Sequence, residues 1–279
     1  MPLVTSRELL LAAQEGKYAV GAFNAENLEM AQAITEGADA LNAPVLLQTT
    51  PSTLRYAPPS VFAGFVSRLA HDVKVPVALH LDHGDSLALA KRCIREGYTS
   101  VMIDGSLLPF GENVALARQV VAIAGDIPVE AELGTVGGKE DDHNARPQYT
   151  DPAEAAEFVR QTGISSFAVA IGTAHGIYKG EPILNIALLE RIRETVSVPL
   201  VLHGTSGIPC EQVRACIARG VCKVNYATEL RIAFTDAVRA YLEAKPEQFD
   251  PKKYLGAGRD AVKARVMELI KLCGSDGKA

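Results

Sequence analysis

The chain has 279 residues, of which 48% are hydrophobic and 22% charged. This composition excludes a disordered tail, a collagen-like repeat and a disulfide-rich mini-protein. Twenty-eight basic residues against thirty-three acidic ones give a net charge of −5 without a basic run, so the composition argues against nucleic acid and favours a small molecule as the partner.

Three further features predict a cytoplasmic protein without a membrane partner. The five cysteines are odd in number and contain no C-x-x-C pair, which indicates free thiols in a reducing compartment. The N-terminus reaches Arg7 and Glu8 too soon for a signal peptide. No apolar run approaches the ~18 residues that a membrane-spanning helix needs.

Short β-rich runs alternate with amphipathic stretches along the chain. Residues 6–15 have helical spacing and precede the first apolar run, 18–23. Seven more runs of this kind follow, at 44–49, 75–81, 100–103, 129–133, 166–171, 199–202 and 222–224. Helical spacing of apolar residues recurs between them, at 26–40, 86–96, 112–124, 151–161, 185–195 and 211–218.

Eight strand–helix units without a compositional break predict a single α/β domain over 1–279, a closed (β/α)8 barrel with an N-terminal helix. A doubly wound parallel sheet is the alternative. Residues 228–279 predict a C-terminal extension of two helices, 228–244 and 259–273, joined by a segment containing Pro251, Gly256 and Gly258. We expect this extension to pack on a neighbouring subunit.

The longest irregular stretch, 134–150, follows the fifth predicted strand and contains Glu140 and His143. A loop of this length at the carboxyl end of a barrel strand favours a lid over a disordered insertion.

Polar residues stand at the predicted carboxyl ends of the strands, where barrels of this kind place their chemistry. These residues are Asn24, Thr50, Asp82, His83, Asp104, Glu132, His175, His203 and Asn225. His83, His175 and His203 end separate strands, and a glycine follows each of them. Three imidazoles at one barrel mouth, with no cysteine nearby, match a catalytic zinc site that keeps a fourth position open. We therefore predict one Zn²⁺ per subunit.

The residues around this predicted metal site have several candidate roles. Asp82, beside a ligand, is favoured as a general acid or base. Asp104 and Glu132 are candidates for binding a second cation or for orienting the histidines. The small and hydroxyl residues of 175–180, 204–207 and 225–228 precede predicted helices and suit a phosphate.

The motifs of the chain resemble those of the class II, metal-dependent ketose-bisphosphate aldolases. They are GAFN (21–24), HLDH (80–83), MIDGS (102–106), VEAELG (129–134), GGKEDD (137–142), AHG (174–176), LHG (202–204) and KVN (223–225). The resemblance covers essentially the whole chain and implies a (β/α)8 fold with zinc on the three histidines.

The same resemblance implies residue roles. Asp82 would be the proton donor and acceptor at the hydroxyl of the bond being broken, and Glu140 on the lid would move the proton of the dihydroxyacetone phosphate carbanion. Asp104 and Glu132 would lie next to the metal ligands or at an alternative cation position, and a monovalent cation is left open. The substrate and its phosphates would be held by Asn24, Thr50, Gly176, Lys179, Gly204, Thr205, Ser206, Asn225, Ala227, Thr228 and Lys252.

The substrate within the family stays open between fructose 1,6-bisphosphate and tagatose 1,6-bisphosphate, which differ in configuration at C4. Two residues depart from the family pattern. Thr205 stands where the family usually has glycine or alanine, and Lys252 stands where it commonly has an arginine that reaches a neighbouring subunit's distal phosphate. Because lysine lacks the bidentate fork of arginine, a ketose 1-phosphate without a distal phosphate is an alternative substrate.

Three other hypotheses compete with the zinc aldolase. Lys223 shares a strand face with Asn225 and could form a Schiff base. A metal-dependent hydrolase on the same fold would also use the histidines, although its usual His-x-His on the first strand is absent. The third of these hypotheses is a sugar-phosphate-binding or structural protein. For the aldolase we expect a homodimer or homotetramer.

Overall fold

The computed structural model describes residues 3–140, 143–145, 147–178, 180 and 182–279, with the backbone alone described at 139, 140 and 143–145. Eight parallel strands close into a barrel. They are β1 (Val20–Asn24), β2 (Val45–Thr49), β3 (Val77–Gly84), β4 (Ser100–Ile103), β5 (Val129–Leu133), β8 (Ser166–Val169), β10 (Leu200–Leu202) and β11 (Val221–Tyr226). Around the barrel their order is β1-β11-β10-β8-β5-β4-β3-β2. The predicted (β/α)8 barrel is confirmed, and the doubly wound sheet is wrong.

One helix, α1, precedes the first barrel strand, and the other helices follow barrel strands and surround the sheet. They are α1 (Ser6–Gly16), α2 (Leu28–Ala40), α3 (Pro51–Tyr56), α4 (Pro59–Asp72), α5 (Leu87–Glu96), α6 (Phe110–Ala124), α7 (Pro152–Thr162), α8 (Ile186–Thr195), α9 (Cys210–Ile217), α10 (Thr228–Ala244) and α11 (Pro251–Cys273). No helix among the described residues combines the length and the apolar character that crossing a membrane requires.

Helix α1 closes the barrel at the end formed by the amino-terminal ends of the strands. Leu9, Leu10 and Ala13 of α1 form one buried cluster with inward residues of the strands, among them Ala22 and Leu46. The main apolar core lies instead between the outer face of the sheet and the helices. Because α1 fills the lower end, the open end of the barrel is the one formed by the carboxyl ends of the strands, where the polar residues stand.

The C-terminal extension differs from its prediction in one respect. The predicted connecting segment with Pro251, Gly256 and Gly258 belongs to one continuous helix, α11. Pro251 occupies the first turn, where its missing N–H costs no hydrogen bond, and Asp250 caps the helix. A Cβ at Gly258 would lie 2.7 Å from the ring of Phe234 in α10, so this glycine permits close packing of the two helices. The proline and glycines led to a predicted helix start at residue 259, whereas α11 begins at Pro251.

The stretch 134–150, predicted to be irregular, contains two short strands. These are β6 (Gly137–Glu140) and β7 (His143–Ala145), which pair antiparallel. β6 also pairs in parallel with β9 (Ala174–His175), so the hairpin of β6 and β7 is joined to the segment that holds His175. Period-two apolar alternation is absent from this glycine-rich and acidic sequence, which is why the strands were missed.

Candidate active site

Three histidines from separate segments meet at the open end of the barrel. His83 lies near the end of β3, His203 directly follows β10, and His175 ends β9. Their candidate ligand nitrogens all lie within 4.8 Å of one another. The prediction that all three end barrel strands is wrong for His175, because the barrel strand β8 ends at Val169 and β9 belongs to the sheet of the hairpin.

Backbone geometry at this end of the barrel depends on special conformations. His83 has φ of 46°, a left-handed conformation that is uncommon for a residue with a side chain and marks a position fixed by its surroundings. Gly204, after His203, has φ of 64°, and a Cβ there would lie 2.8 Å from the backbone of Ala174. Glycine therefore allows the segments that contain His175 and His203 to approach each other closely.

Two of the histidines each hydrogen-bond a carboxylate through the ring nitrogen that points away from the other histidines, here called the outer nitrogen. Nδ1 of His83 lies 2.8 Å from Oδ2 of Asp104, and Nε2 of His203 lies 2.9 Å from Oε1 of Glu130. An ionised carboxylate only accepts hydrogen bonds, so both outer nitrogens bear the proton. The nitrogens left for the site are Nε2 of His83 and Nδ1 of His203.

These two inner nitrogens are 2.8 Å apart, and in the neutral rings both present a lone pair. Such an approach is favourable only when a cation or a proton lies at the site. Burial lowers the pKa of His203, and it lowers the pKa of His175 well below the ordinary value, so these rings are neutral as metal ligands must be. The donor set of three neutral imidazoles fits Zn²⁺.

Asp82 is buried beside the histidines, and both of its oxygens accept hydrogen bonds. Asn225 donates to Oδ1 over 3.0 Å, and Asn24 donates to Oδ2 over 3.1 Å. Burial works to raise the pKa of Asp82, but the electrostatic influence of His83 and His203 outweighs it and lowers the pKa to about 2. The carboxylate is therefore ionised at neutral pH and held in one orientation by its two hydrogen bonds.

Asp104 and Glu132 form a second group of possible ligands together with His83. Burial, assisted by the negative charge of Asp104, raises the pKa of Glu132 to about 8. Oε1 of Glu132 accepts from the N–H of Val136, whereas Oε2 is buried and has no hydrogen-bond partner among the described residues. A cation beside these carboxylates would offset both the burial and the repulsion from Asp104 that raise the pKa of Glu132.

A cleft at this end of the barrel brings most of the predicted site residues together. Its lining comprises Asn24, Asp82, His83, His175, Gly176, His203, Gly204, Thr205, Ser206, Asn225, Ala227 and Thr228. Thr50 and Lys252 are not among these residues. Thr50 is buried, with its hydroxyl near those of Ser52 and Thr53, and Lys252 pairs with Asp250 on the surface.

Two predicted residues cannot be placed in the cleft. Lys179 lies outside the described residues, and Glu140 is described by its backbone alone, in β6. Thr205, one of the departures from the family pattern, donates its hydroxyl to the backbone carbonyl of Asn225.

Comparison with known proteins decides the family. The family model of class II fructose-bisphosphate aldolases matches residues 4–278. The chain belongs to this family. It is 48% identical to a fructose-bisphosphate aldolase of Geobacillus stearothermophilus, over all of this chain and 99% of that protein. It is 46% identical to the D-tagatose-1,6-bisphosphate aldolase subunit GatY of Klebsiella oxytoca, over the full length of both.

A solved structure agrees with this membership. The crystal structure of the YdjI aldolase from Escherichia coli K12 is 37% identical and superposes with a TM-score of 0.89, covering 99% of each chain. The chain is thus a class II aldolase and therefore a lyase. Membership decides for the aldolase over the hydrolase and the binding protein.

The barrel also places two polar residues that the sequence analysis left out against the candidate site residues. Glu130 contacts the metal-ligand candidate His203, and Gln48 donates to both Asn24 and Asp82. Lys223, the Schiff-base candidate, does point inward as its alternation with Asn225 predicts, but it is ion-paired with Glu130 and does not line the cleft. The inward position of Glu130 on β5 was available from the same period-two alternation, since Glu132 is two residues further along.

Proposed function

We propose that this class II aldolase reversibly cleaves a ketose 1,6-bisphosphate, of the fructose or tagatose configuration, to dihydroxyacetone phosphate and glyceraldehyde 3-phosphate. The observation that supports this most directly is the position of an ionised, doubly hydrogen-bonded Asp82 beside three converging imidazoles. The names of the relatives at 48% and 46% identity support the same substrate class.

His83, His175 and His203 would hold one Zn²⁺ per subunit. Zinc supplies a Lewis acid at the ketose carbonyl, where negative charge develops as the carbon–carbon bond breaks. Asp104 and Glu130 would fix the two protonated outer nitrogens and thereby aim the inner ones. Asp104 and Glu132 are the proposed ligands of an alternative cation position, a monovalent cation included.

Asp82 would accept the proton of the C4 hydroxyl as the bond between C3 and C4 breaks, and would return it in the direction of synthesis. The hydrogen bonds from Asn24 and Asn225 hold its carboxylate in one orientation. We assign the second proton transfer to Glu140. It takes place at the carbanion carbon of the dihydroxyacetone phosphate unit, which is C3 of the ketose. The backbone of Glu140 lies in β6, which is paired to the strand of His175.

The phosphate of the dihydroxyacetone unit would bind where small residues and hydroxyls line the cleft. Gly176, Gly204 and Ser206 lie on loops, and Thr228 begins the 17-residue helix α10. Backbone N–H groups at a helix start bind anions because they are unpaired and the helix dipole is positive there. Lys179 would add a cation to this phosphate site, and Thr205 and Ala227 would shape it.

The residue expected at the distal phosphate of the substrate favours a second candidate substrate. Lys252 stands where the family commonly has arginine, its side chain is 84% exposed, and it pairs with Asp250 over 2.9 Å. A single ammonium group already paired with a carboxylate is a weak phosphate ligand. A ketose 1-phosphate with an unphosphorylated distal end is therefore the alternative substrate.

One assay tests these proposals together. Cleavage of fructose 1,6-bisphosphate, tagatose 1,6-bisphosphate and a ketose 1-phosphate is followed side by side, with and without a chelator. We expect cleavage of a bisphosphate that chelation abolishes and Zn²⁺ restores. Cleavage that is unchanged by exhaustive chelation would contradict the metal assignment, and a preference for the monophosphate would select the second candidate.

Two further proposals concern the enzyme as a whole. All five cysteines are free, four of them buried, which supports a reducing cytoplasmic location. A homodimer or homotetramer is supported by the 91% exposed Phe249 and by α10, of whose 17 residues Leu230 alone is buried. Light scattering of the purified enzyme measures the subunit number directly, and a monomer would contradict this proposal.

A further inference from the structure

A buried ion pair lies inside the barrel, below the histidines. Nζ of Lys223 is 3.1 Å from Oε1 and 3.0 Å from Oε2 of Glu130. The side chains are 0% and 1% exposed, so both charges are removed from water. Replacing such a pair by apolar residues is often neutral or even stabilising, so its contribution to folding alone does not account for it.

The ion pair is held by a hydrogen-bonded network that reaches through the barrel. Nζ of Lys223 is also 3.4 Å from Nε2 of His80, whose Nδ1 is 2.7 Å from Oγ of Ser100. Ser100 in turn contacts the hydroxyl of Ser6 in α1 over 2.8 Å. Because an ammonium group only donates, its contact with His80 places the proton of that ring on Nδ1, toward Ser100. Each contact has one consistent donor and acceptor.

The other end of the network is the metal-ligand candidate His203. Oε1 of Glu130 accepts from Nε2 of this ring over 2.9 Å, while Oε2 accepts from Ser166 over 3.3 Å. Lys223 does not contact His203 in any hydrogen bond of the described residues, so its influence passes through Glu130. A carboxylate that stays ionised fixes the proton of His203 on Nε2 and leaves Nδ1 as the lone pair facing His83.

We propose that Lys223 is a positioning residue of this enzyme: by holding Glu130 as an ionised acceptor, it fixes His203 in the Nε2–H tautomer that presents Nδ1 to a divalent metal. The inference rests on the metal assignment made under the proposed function. It gives the inward lysine of β11 a role that is neither covalent catalysis nor substrate binding.

The decisive variant is the double substitution Glu130→Gln with Lys223→Met. Each single change would leave one buried charge without its partner and so destabilise the fold, whereas the double change removes both charges at nearly constant volume. A neutral glutamine can present either its oxygen or its NH₂ group to Nε2, so it no longer fixes the tautomer. The matched control, Glu36→Gln with Lys263→Met, removes an ion pair of 3.0 Å that lies partly exposed on α2 and α11.

The readout is binding of Co²⁺ to metal-free protein, followed by its visible absorption, with thermal unfolding measured alongside. We expect the double variant to fold and to bind Co²⁺ about 10- to 100-fold more weakly than wild type, the range typical of lost support to a metal ligand, while the control binds normally. A folded double variant with wild-type affinity would overturn this inference and the orienting role given to Glu130, while the metal assignment itself would stand. A wild-type protein that binds no Co²⁺ would overturn both the metal assignment and this inference.

A second measurement on the wild-type protein keeps the inference testable if the double variant does not fold. Nitrogen-15 NMR of histidine-labelled, metal-free protein reports which ring nitrogen bears the proton. The His203 signals are assigned by their loss in His203→Gln. We expect the Nε2–H tautomer, and a proton on Nδ1 would overturn the inference.

Discussion

Asn225 donates a hydrogen bond of 3.0 Å to Oδ1 of Asp82, from the strand that closes the barrel beside β1. With the bond from Asn24 to Oδ2, it leaves the carboxylate no freedom to rotate without losing a buried hydrogen bond. Asp82 is therefore held in one orientation at the position where the substrate hydroxyl is expected.

Asp82→Ala tests the proton-transfer role. Positioned general acid–base groups contribute about 10²- to 10⁴-fold to rate, so we expect kcat to fall by at least that factor. Metal content, measured by elemental analysis, should stay near the wild-type value because Asp82 is not one of the three candidate ligands. Asp85→Ala, at an exposed carboxylate just beyond β3, is the matched control and should keep full activity. Full turnover by Asp82→Ala would refute the assignment.

Asp104→Asn tests the support of His83. The carboxylate accepts from Nδ1 of His83 over 2.8 Å, and an amide can offer an NH₂ group there instead. We expect Zn²⁺ affinity to fall by about 10- to 100-fold, with activity partly restored by excess Zn²⁺. Asp126→Asn, on the exposed end of the loop after α6, should change neither quantity. Unchanged affinity in Asp104→Asn would show that Asp104 does not orient the ring.

The sequence was sufficient to predict the barrel and to select three histidines that the structure brings together. Repeating apolar runs depend on burial on both faces of a parallel sheet, which is a local property of each strand. The placement of His175 was not predictable in the same way, because β9 is held by pairing with β6 over a long sequence separation. Such pairing depends on glycines at particular backbone conformations rather than on apolar periodicity.

The charged residues inside the barrel, beneath the three histidines, were harder to predict than the histidines themselves. Glu130 and Lys223 stand inside strands, where a charged residue is ordinarily turned toward solvent. Only their mutual distance of 3.0 Å inside the closed barrel shows that they neutralise each other. Sequence spacing cannot supply that distance, since the two residues belong to β5 and β11, which are not adjacent in the sheet.

The metal-free enzyme should become less stable as the pH decreases below 6.5, because His80 is buried in its neutral form. Burial, followed by the positive charge of Lys223, lowers the pKa of this ring from 6.5 to about 3. At pH values between about 3 and 6.5, the ring of His80 is protonated in the unfolded chain but not in the folded protein. The free energy of unfolding is therefore unaffected by this ring above pH 6.5 and decreases as the pH falls from 6.5 toward 3. By pH 5 the loss amounts to about 2 kcal/mol of unfolding free energy.

His80→Asn removes this titration and tests the prediction. Its amide nitrogen can still donate to Ser100, although the contact with Lys223 is lost, so the variant should be less stable than wild type at pH 7. We expect the difference in unfolding free energy to narrow by about 2 kcal/mol between pH 7 and pH 5. Urea unfolding in the presence of a chelator measures it, with His71→Asn on the exposed end of α4 as the control for loss of a histidine. A constant difference across this interval would contradict a neutral, buried His80.

Gly138→Ala should damage the site through the backbone alone. Gly138 has φ of 86°, and a Cβ there would lie 2.2 Å from the carbonyl oxygen of His175. Since both β6 and β9 would have to separate, we expect His175 to move away from His83 and His203, and metal affinity and kcat to fall together. Gly111→Ala is the control, because a Cβ there meets nothing within 4 Å and the residue lies in the first turn of α6, which tolerates alanine. Wild-type metal binding by Gly138→Ala would mean that the pairing of β6 with β9 does not position His175.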